Sequence, residues 1–514
     1  MDAAYEGTPL ELGDAPLTLD DYLQVTHQGR AVRLAPAARV RMESFRASLQ
    51  RQLEAGRRIY GVNTGYGADS VTTIAPETIR RVQRNTLLSH AAGTGVPIPI
   101  SHARGMLLLK AVVLVQGYSA VRPIVVDMLL DLLNADIAPL VPEQGSLAAS
   151  GDLIPSGHMG LAMIGEGDVF YRGERVPAAQ ALRAVGLEPL APAEKEGLAI
   201  VNGTSFTAAY ALENVCAARH LLATADICAA ASLQALKGHT GAFDPRVIGV
   251  RPFPGALAVA ANMRALVAES PLLREKPARV HDPYCLRCVP QVHGASRDAF
   301  RYVEEATLLE LNAYTDNPLV FPEADEIVSG GNFHAQPVGL PMDMLCILAA
   351  ELGSISQRRT QHLVAPVYDV GLPQKLSPVP REGLGLFMLN TAASAVVSEN
   401  KTLCFPASVD SMAVDAVEDH VSMASVAARK AAQVIANTAR VLAIELICAC
   451  QALDLHAPME PSAPIDRVRA LVRKDLPFAP EDRPFADDIA GLAGRILDGT
   501  VARAAQVGLG HALL

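Results

Sequence analysis

Residues 145–155 read Gly-Ser-Leu-Ala-Ala-Ser-Gly-Asp-Leu-Ile-Pro. Ala149, Ser150 and Gly151 form a run of three small residues there. Such a run can be a plain tight turn. It can also do covalent chemistry. Glycine has no Cβ, so the chain can fold back until the amide nitrogen of Gly151 reaches the carbonyl carbon of Ala149. Alanine leaves that approach open, and Ser150 can then lose its hydroxyl as water and leave an exocyclic methylene. The product is an electrophile, which no ordinary side chain is, and the surrounding protein supplies position and electrostatics. A second run, Tyr-Gly-Val-Asn-Thr-Gly-Tyr-Gly, occupies residues 60–67. It lacks the Lys-Ser/Thr that follows a phosphate-cradling loop, so its three glycines read as a mobile lid.

Together the two runs resemble the histidine and aromatic amino acid ammonia-lyase family, and the resemblance extends over roughly residues 17–505. It implies that Ala149, Ser150 and Gly151 cyclise into 4-methylidene-imidazole-5-one, the methylidene-imidazolone cofactor of that family, with no external cofactor and no metal. It implies Tyr60 as the catalytic base. A free tyrosine ionises near pH 10, so cationic or hydrogen-bonding neighbours would have to favour its phenolate. Ser89 and His90 match the segment that reads the substrate side chain. Histidine-specific members carry Ser-His there, whereas phenylalanine and tyrosine lyases place Phe-Leu or His-Leu, and some tyrosine aminomutases also resemble this chain at Ser-His. A histidine facing a polar ring is sound chemistry.

By the same resemblance, Asn202 hydrogen-bonds near the electrophile, Asn317 and Phe333 lie close to it, and Tyr284 is a second catalytic tyrosine. Arg287 grips the substrate carboxylate, which a guanidinium fork matches with paired hydrogen bonds. Glu418 stands where histidine lyases have a glutamate able to handle a proton. Each residue also has a structural reading. Asn-Gly is a turn signal, Glu418 can serve a helix N-terminus, Arg287 can sit in a surface salt bridge, and His90 can be a satisfied histidine on a helix face. The departures from histidine lyases gather in the expected pocket: His281 for Gln, Gly383-Leu-Gly-Leu386 for Asn-Ser-Gly-Phe, and Ala416-Val417 for Asn-Gln. Gly383, Leu384, Ala416 and Val417 thus stand in place of polar groups, with Gly385 and Leu386 in the same altered segment, and lost hydrogen bonds can shift selectivity by orders of magnitude. Ser205 and Gln336 lean toward the phenylalanine and tyrosine branch.

The elements that must position these residues are mainly helical. Segments 206–237, 296–314 and 421–455 run without Gly or Pro, and 342–362 is broken only by Gly353, with apolar residues three and four apart throughout. Such helices should form a long central bundle. Strand signals are few: 31–34, and 169–172 with 174–176 as a hairpin about Gly173. The expected fold class is mainly α, with a mixed, loop-rich N-terminal region. The expected domains are 1–205, carrying the electrophile and lid, a bundle at 206–456, and a C-terminal helical region at 457–514.

Composition narrows the function. Half of the 514 residues are apolar, and 54 acidic against 44 basic residues give a net charge of −10. With no basic stripe, nucleic acid is not an expected partner. Stretches 105–116 and 441–455 are apolar but short for a membrane span and carry Lys110 and Glu445, so they read as buried helices. The N-terminus lacks the basic start and apolar run of a signal peptide. Eight cysteines in mostly apolar helical contexts suit reduced core thiols in the cytoplasm. Cys285 and Cys288 have CxxC spacing without a second pair, so core packing outweighs zinc or redox use.

The expectation is a homotetrameric, cytoplasmic ammonia-lyase with shared active sites, acting on an aromatic L-amino acid: histidine, giving urocanate. The rivals are a 2,3-aminomutase, a tyrosine or phenylalanine ammonia-lyase, and an inactive assembly protein on the lyase fold.

Overall fold

The structure is a computed structural model. It describes residue 5, residues 7–274, 277, 279–379, 383–409, 412, 414, 417–509 and 513. Among these residues it has nineteen α-helices and nine short strands. The chain is therefore mainly α, and segment 1–200 does mix helices with small sheets.

The chain divides into two compact units. The first comprises Met1–Glu213, Glu305–Met342 and Pro406–Arg429. Its strands are only three or four residues long. Leu10–Leu12 runs parallel to Val32–Leu34, and Asp168–Tyr171 pairs antiparallel with Glu174–Pro177 and with Ile137–Pro139. The hairpin about Gly173 is thus where the turn signal put it. Phe45, Leu49, Ile59, Val62, Ala120 and Val320 form a buried cluster. Ile59 and Val62 bracket Tyr60 in sequence, so the core anchors the start of the glycine-rich run. The helix Ile100–Val115 is buried continuously from Ala103 to Val115, Lys110 included.

The second unit comprises Asn214–Glu304, Asp343–Phe405 and Lys430–Leu514. It is almost wholly helical. Arg359 and Glu445, both fully buried, meet through two hydrogen bonds of 2.6 and 2.9 Å, a bidentate geometry that suits a desolvated pair. Asp226 accepts from His293, Asn262 and Arg297.

Two helices extend further than the Gly- and Pro-free segments predict. One is Val289–Glu310, which carries Pro290 in its first turn and ends before 314. Proline is tolerated in a first turn because the missing N–H has no helical acceptor there. Gly294 lies inside this helix for packing: a Cβ on it would come within 2.4 Å of the Ala256 backbone nitrogen. The other is Gln336–Val364, which takes in Pro341. That helix and Ala424–Leu455 are long and apolar enough to cross a membrane, but 67% and 83% of their most apolar windows are buried within the protein. They serve as core helices.

Candidate active site

The tripeptide sits in a backbone fold tight enough that Ala149 and Gly151 pair with each other across Ser150. Gly151 also pairs with Gly203. The clamp is two-sided: Gly203 N–H donates to the Ser150 carbonyl oxygen at 3.4 Å, and Asp152 N–H donates to the Gly203 carbonyl at 2.7 Å. Gly151 has φ +80°, and a Cβ there would lie 2.3 Å from the Gly203 oxygen. Only glycine meets both conditions. Ala148 and Leu153, flanking the run, have φ of 52° and 50°. Side-chain-bearing residues adopt such angles at a cost, and the cost concentrates at functional sites. We expect Gly151→Ala to lower stability by roughly 2–4 kcal/mol, read as a shifted denaturant midpoint. A change under about 0.5 kcal/mol, the range of an ordinary surface substitution, would contradict the clamp.

Two helix N-termini hold the run in place. At the start of Ser205–Ala235, the buried Asp152 carboxylate accepts from Phe206 N–H at 2.6 Å and from Thr207 Oγ1 at 2.5 Å. Burial pushes this carboxyl up to about 6, against the pull of those bonds and of Lys110. At the start of Ala424–Leu455, Ser422 and Ser425 hydroxyls donate to the carbonyls of Ala148 and Ser146, each at 2.9 Å.

Ser150 Oγ donates to Glu418 Oε1 at 3.0 Å. Both line a cavity of about 490 Å³ together with Tyr60, Asn202, Asn317 and Phe333. Six residues singled out from the sequence thus meet in one space, with Ala149 beside them. Tyr60 Oη accepts from Gly67 N–H at 3.2 Å, so the glycine-rich run closes on its own first residue. Ser89 and His90 line a second cavity of about 270 Å³, which shares Ala149 and Glu418 with the first. His90 Nδ1 pairs with the Thr86 carbonyl at 2.8 Å, which orients the ring with Nε2 as the acceptor.

Behind the tripeptide lies a buried ionic network. Lys195 Nζ donates to Asp316 Oδ2 at 2.8 Å and to the Asn317 carbonyl at 2.7 Å. Asn202 Nδ2 donates to Asp316 Oδ1 at 3.0 Å, and Ser119 Oγ donates to Asp316 Oδ2 at 2.6 Å. Burial raises the Asp316 carboxyl, but the Lys195 ammonium and these bonds outweigh it and hold the group below the usual carboxylate range. Lys195→Met strands Asp316 without its counter-charge. The expected loss is about 3–5 kcal/mol, measured by denaturant unfolding; wild-type stability would remove the network from the account.

Tyr284 and Arg287 belong to the second unit and line neither cavity. Tyr284 is 71% exposed. The Arg287 guanidinium lies 4.7 Å from the centre of its ring, and the buried Arg287 Nε has no hydrogen-bond partner among the described residues. His281 is exposed, and Gly385 and Leu386 also fall in the second unit. Val417 lines the larger cavity; Ala416 lies outside the described residues. Ser205 is buried at the start of its helix, and Gln336 donates to the Ser408 carbonyl at 2.9 Å.

This geometry coincides with a match along the sequence. Residues 17–474 fit the family of aromatic amino acid lyases. The chain belongs to that family. It is a carbon–nitrogen lyase of the ammonia-lyase type. It is 44% identical to a histidine ammonia-lyase of Anaeromyxobacter sp. (strain K), over 95% of this chain and 99% of that one. It is 46% identical to a histidine ammonia-lyase of Symbiobacterium thermophilum, over 97% and 98%. Among solved structures it is similar to the histidine ammonia-lyase of Trypanosoma cruzi, with TM-score 0.89 and 37% identity over 97% of this chain and 95% of that one. A tyrosine aminomutase from Streptomyces globisporus has TM-score 0.92 and 32% identity over 99% and 100%.

The lyase cavity also holds residues that the sequence reading did not single out. His334 Nε2 and His420 Nδ1 are 3.1 Å apart on its wall. Both flank predicted residues, Phe333 and Glu418, but nothing in their spacing of 86 residues signals the pairing. Lys195 and Asp316 were equally silent. Lys110 did leave a signal, as a charge inside an apolar stretch.

Proposed function

We propose that the lyase converts L-histidine to urocanate and ammonia, using a methylidene-imidazolone formed from Ala149, Ser150 and Gly151. The observation that carries this reading is the pairing of Ala149 with Gly151 across Ser150, in a backbone pocket that admits only glycine at 151. The residues present fit the group. Gly203 clamps the carbonyl of Ser150, and its Oγ already has an acceptor in Glu418. When formed, the ring supplies an electrophile at the former Ser150 Cβ.

The chain's own residues do the rest. Tyr60, which lines the same cavity as the electrophile, removes a β-proton from the substrate. With active sites shared between subunits, a neighbouring copy's Arg287 takes the substrate carboxylate, with its Tyr284 beside it; the Arg287 Nε, without a hydrogen-bond partner among the described residues, is a donor still to be used. His90 and Ser89 receive the imidazole, and Glu418, shared by both cavities, pairs with it or relays a proton. Asn202, Asn317 and Phe333 complete the lining around the electrophile. Histidine is favoured over phenylalanine or tyrosine because His90 and Glu418 line the smaller cavity together.

The lyase works as a cytoplasmic homotetramer with shared active sites. Exposed Met344, Ile347 and Phe405 supply apolar surface for that assembly. The test is absorbance-monitored turnover of L-histidine, with L-tyrosine and L-phenylalanine in parallel. A urocanate band from histidine alone is expected. Turnover of another amino acid with silence on histidine would make Val417 and the other departures the determinants of substrate. A β-amino acid among the products would make the protein an aminomutase.

A further inference from the structure

Lys110 carries a buried charge in this neighbourhood that the reaction outlined above leaves unused. It is 1% exposed, within the otherwise apolar run 105–115 of the helix Ile100–Val115. A buried ammonium is costly unless its protons are taken up. Here Nζ donates to the Ala199 carbonyl at 3.1 Å and to the Asn202 carbonyl. The second contact matters most. The carbonyl of Asn202 and the N–H of Gly203 belong to the same peptide unit, and that N–H donates to the Ser150 carbonyl oxygen. The groups thus lie in series: Lys110 ammonium, peptide 202–203, Ser150 carbonyl. Hydrogen bonds in series polarise one another, more strongly where water is excluded.

We infer that Lys110 is a positioning residue that acts through the 202–203 peptide, drawing electron density onto the Ser150 carbonyl oxygen and so making the tripeptide easier to cyclise and the resulting alkene more electrophilic. This rests on the proposed methylidene-imidazolone. The covalent balance is simple. Gly151 N bonds to Ala149 C, and the Ala149 oxygen leaves as water with the protons of Gly151 N and Ser150 N. Ser150 Oγ then leaves as a second water with its own proton and the Ser150 Cα proton, giving the Cα–Cβ double bond. That bond is conjugated to the Ser150 carbonyl, so charge arriving at Cβ is delocalised onto the oxygen that Gly203 N–H already faces.

A purely structural Lys110, one that only ties down two carbonyls, predicts something different, and the test separates the two. Intact mass follows loss of the two waters; cyanide, a small nucleophile, follows reactivity of the alkene as a mass gain. Lys110→Met and Lys110→Gln remove the charge and Lys110→Arg keeps it. Melting followed by circular dichroism identifies the folded variants. A folded neutral variant is expected to mature and take up cyanide about tenfold more slowly, an order of magnitude less than deletion of an oxyanion donor outright, with Lys110→Arg restoring the rate. A folded neutral variant that matches wild type in both readouts overturns the inference.

Wild type offers an independent arm. Burial lowers the Lys110 ammonium to about 8, against the pull of Asp316 and Asp152, with Lys195 adding to the lowering. The rate constant for uptake, referred to cyanide anion, should therefore fall as pH rises through about 8; a flat profile overturns the inference even if no variant folds. Wild-type protein that retains both waters would instead overturn the proposed cofactor, a result distinct from a matured Lys110→Met.

Discussion

Ser150→Ala is expected to abolish turnover of L-histidine, with a fall in kcat of at least about a thousandfold, the scale on which loss of a covalent catalytic group is read. The substitution removes one atom. That atom is the leaving oxygen from which the exocyclic alkene arises, and no other hydroxyl is placed to replace it at Cβ. Relative to the uncyclised chain, only the 3.0 Å bond from Ser150 Oγ to Glu418 is given up, worth about 0.5–3 kcal/mol as a hydrogen bond. The variant should therefore fold. A folded Ser150→Ala protein that retains more than a tenth of wild-type kcat would show that the electrophile is not needed.

Tyr60→Phe comes next in expected size. A positioned general base contributes roughly 10²–10⁴ in rate, and kcat should fall by that factor while KM changes little, because the ring still packs. Tyr60 is anchored by Ile59 and Val62 in the core cluster and held edge-on to Tyr66 at 6.4 Å. The hydrogen bond lost is the one from Gly67 N–H. A rise in KM at constant kcat would instead assign Tyr60 to ground-state binding.

Much of this site was legible in the sequence because its chemistry is local. The tripeptide, the glycines around Tyr60 and the Asn-Gly at 202–203 are short runs, and each owes its composition to one backbone requirement. Gly203 illustrates this: φ is +90°, and a Cβ would come within 2.4 Å of the Thr315 carbonyl. The fold class was legible for a related reason, since the 3.6-residue periodicity is written along each helix. The ends of helices were less so. Pro290, Gly294 and Pro341 punctuate a sequence strongly, yet first-turn tolerance admitted Pro290, close packing admitted Gly294, and Pro341 stands inside its helix.

What stayed hidden depends on the distant partner. Lys195 and Asp316 are 121 residues apart, and His334 and His420 are 86 apart. Neither pair carries a periodicity or a motif of its own. Lys110 lies between the two cases: its burial could be read from its apolar neighbours, but its acceptors, about ninety residues away, could not.

The central claim is that the chain turns three of its own residues into an electrophile, and the intact mass of purified wild-type protein tests it most directly, with peptide mapping across residues 145–155. The expected result is a protein two waters lighter than its sequence, with the whole deficit in the fragment that holds Ala149, Ser150 and Gly151. A fragment of full sequence mass, from protein that is folded and purified without denaturant, would contradict it.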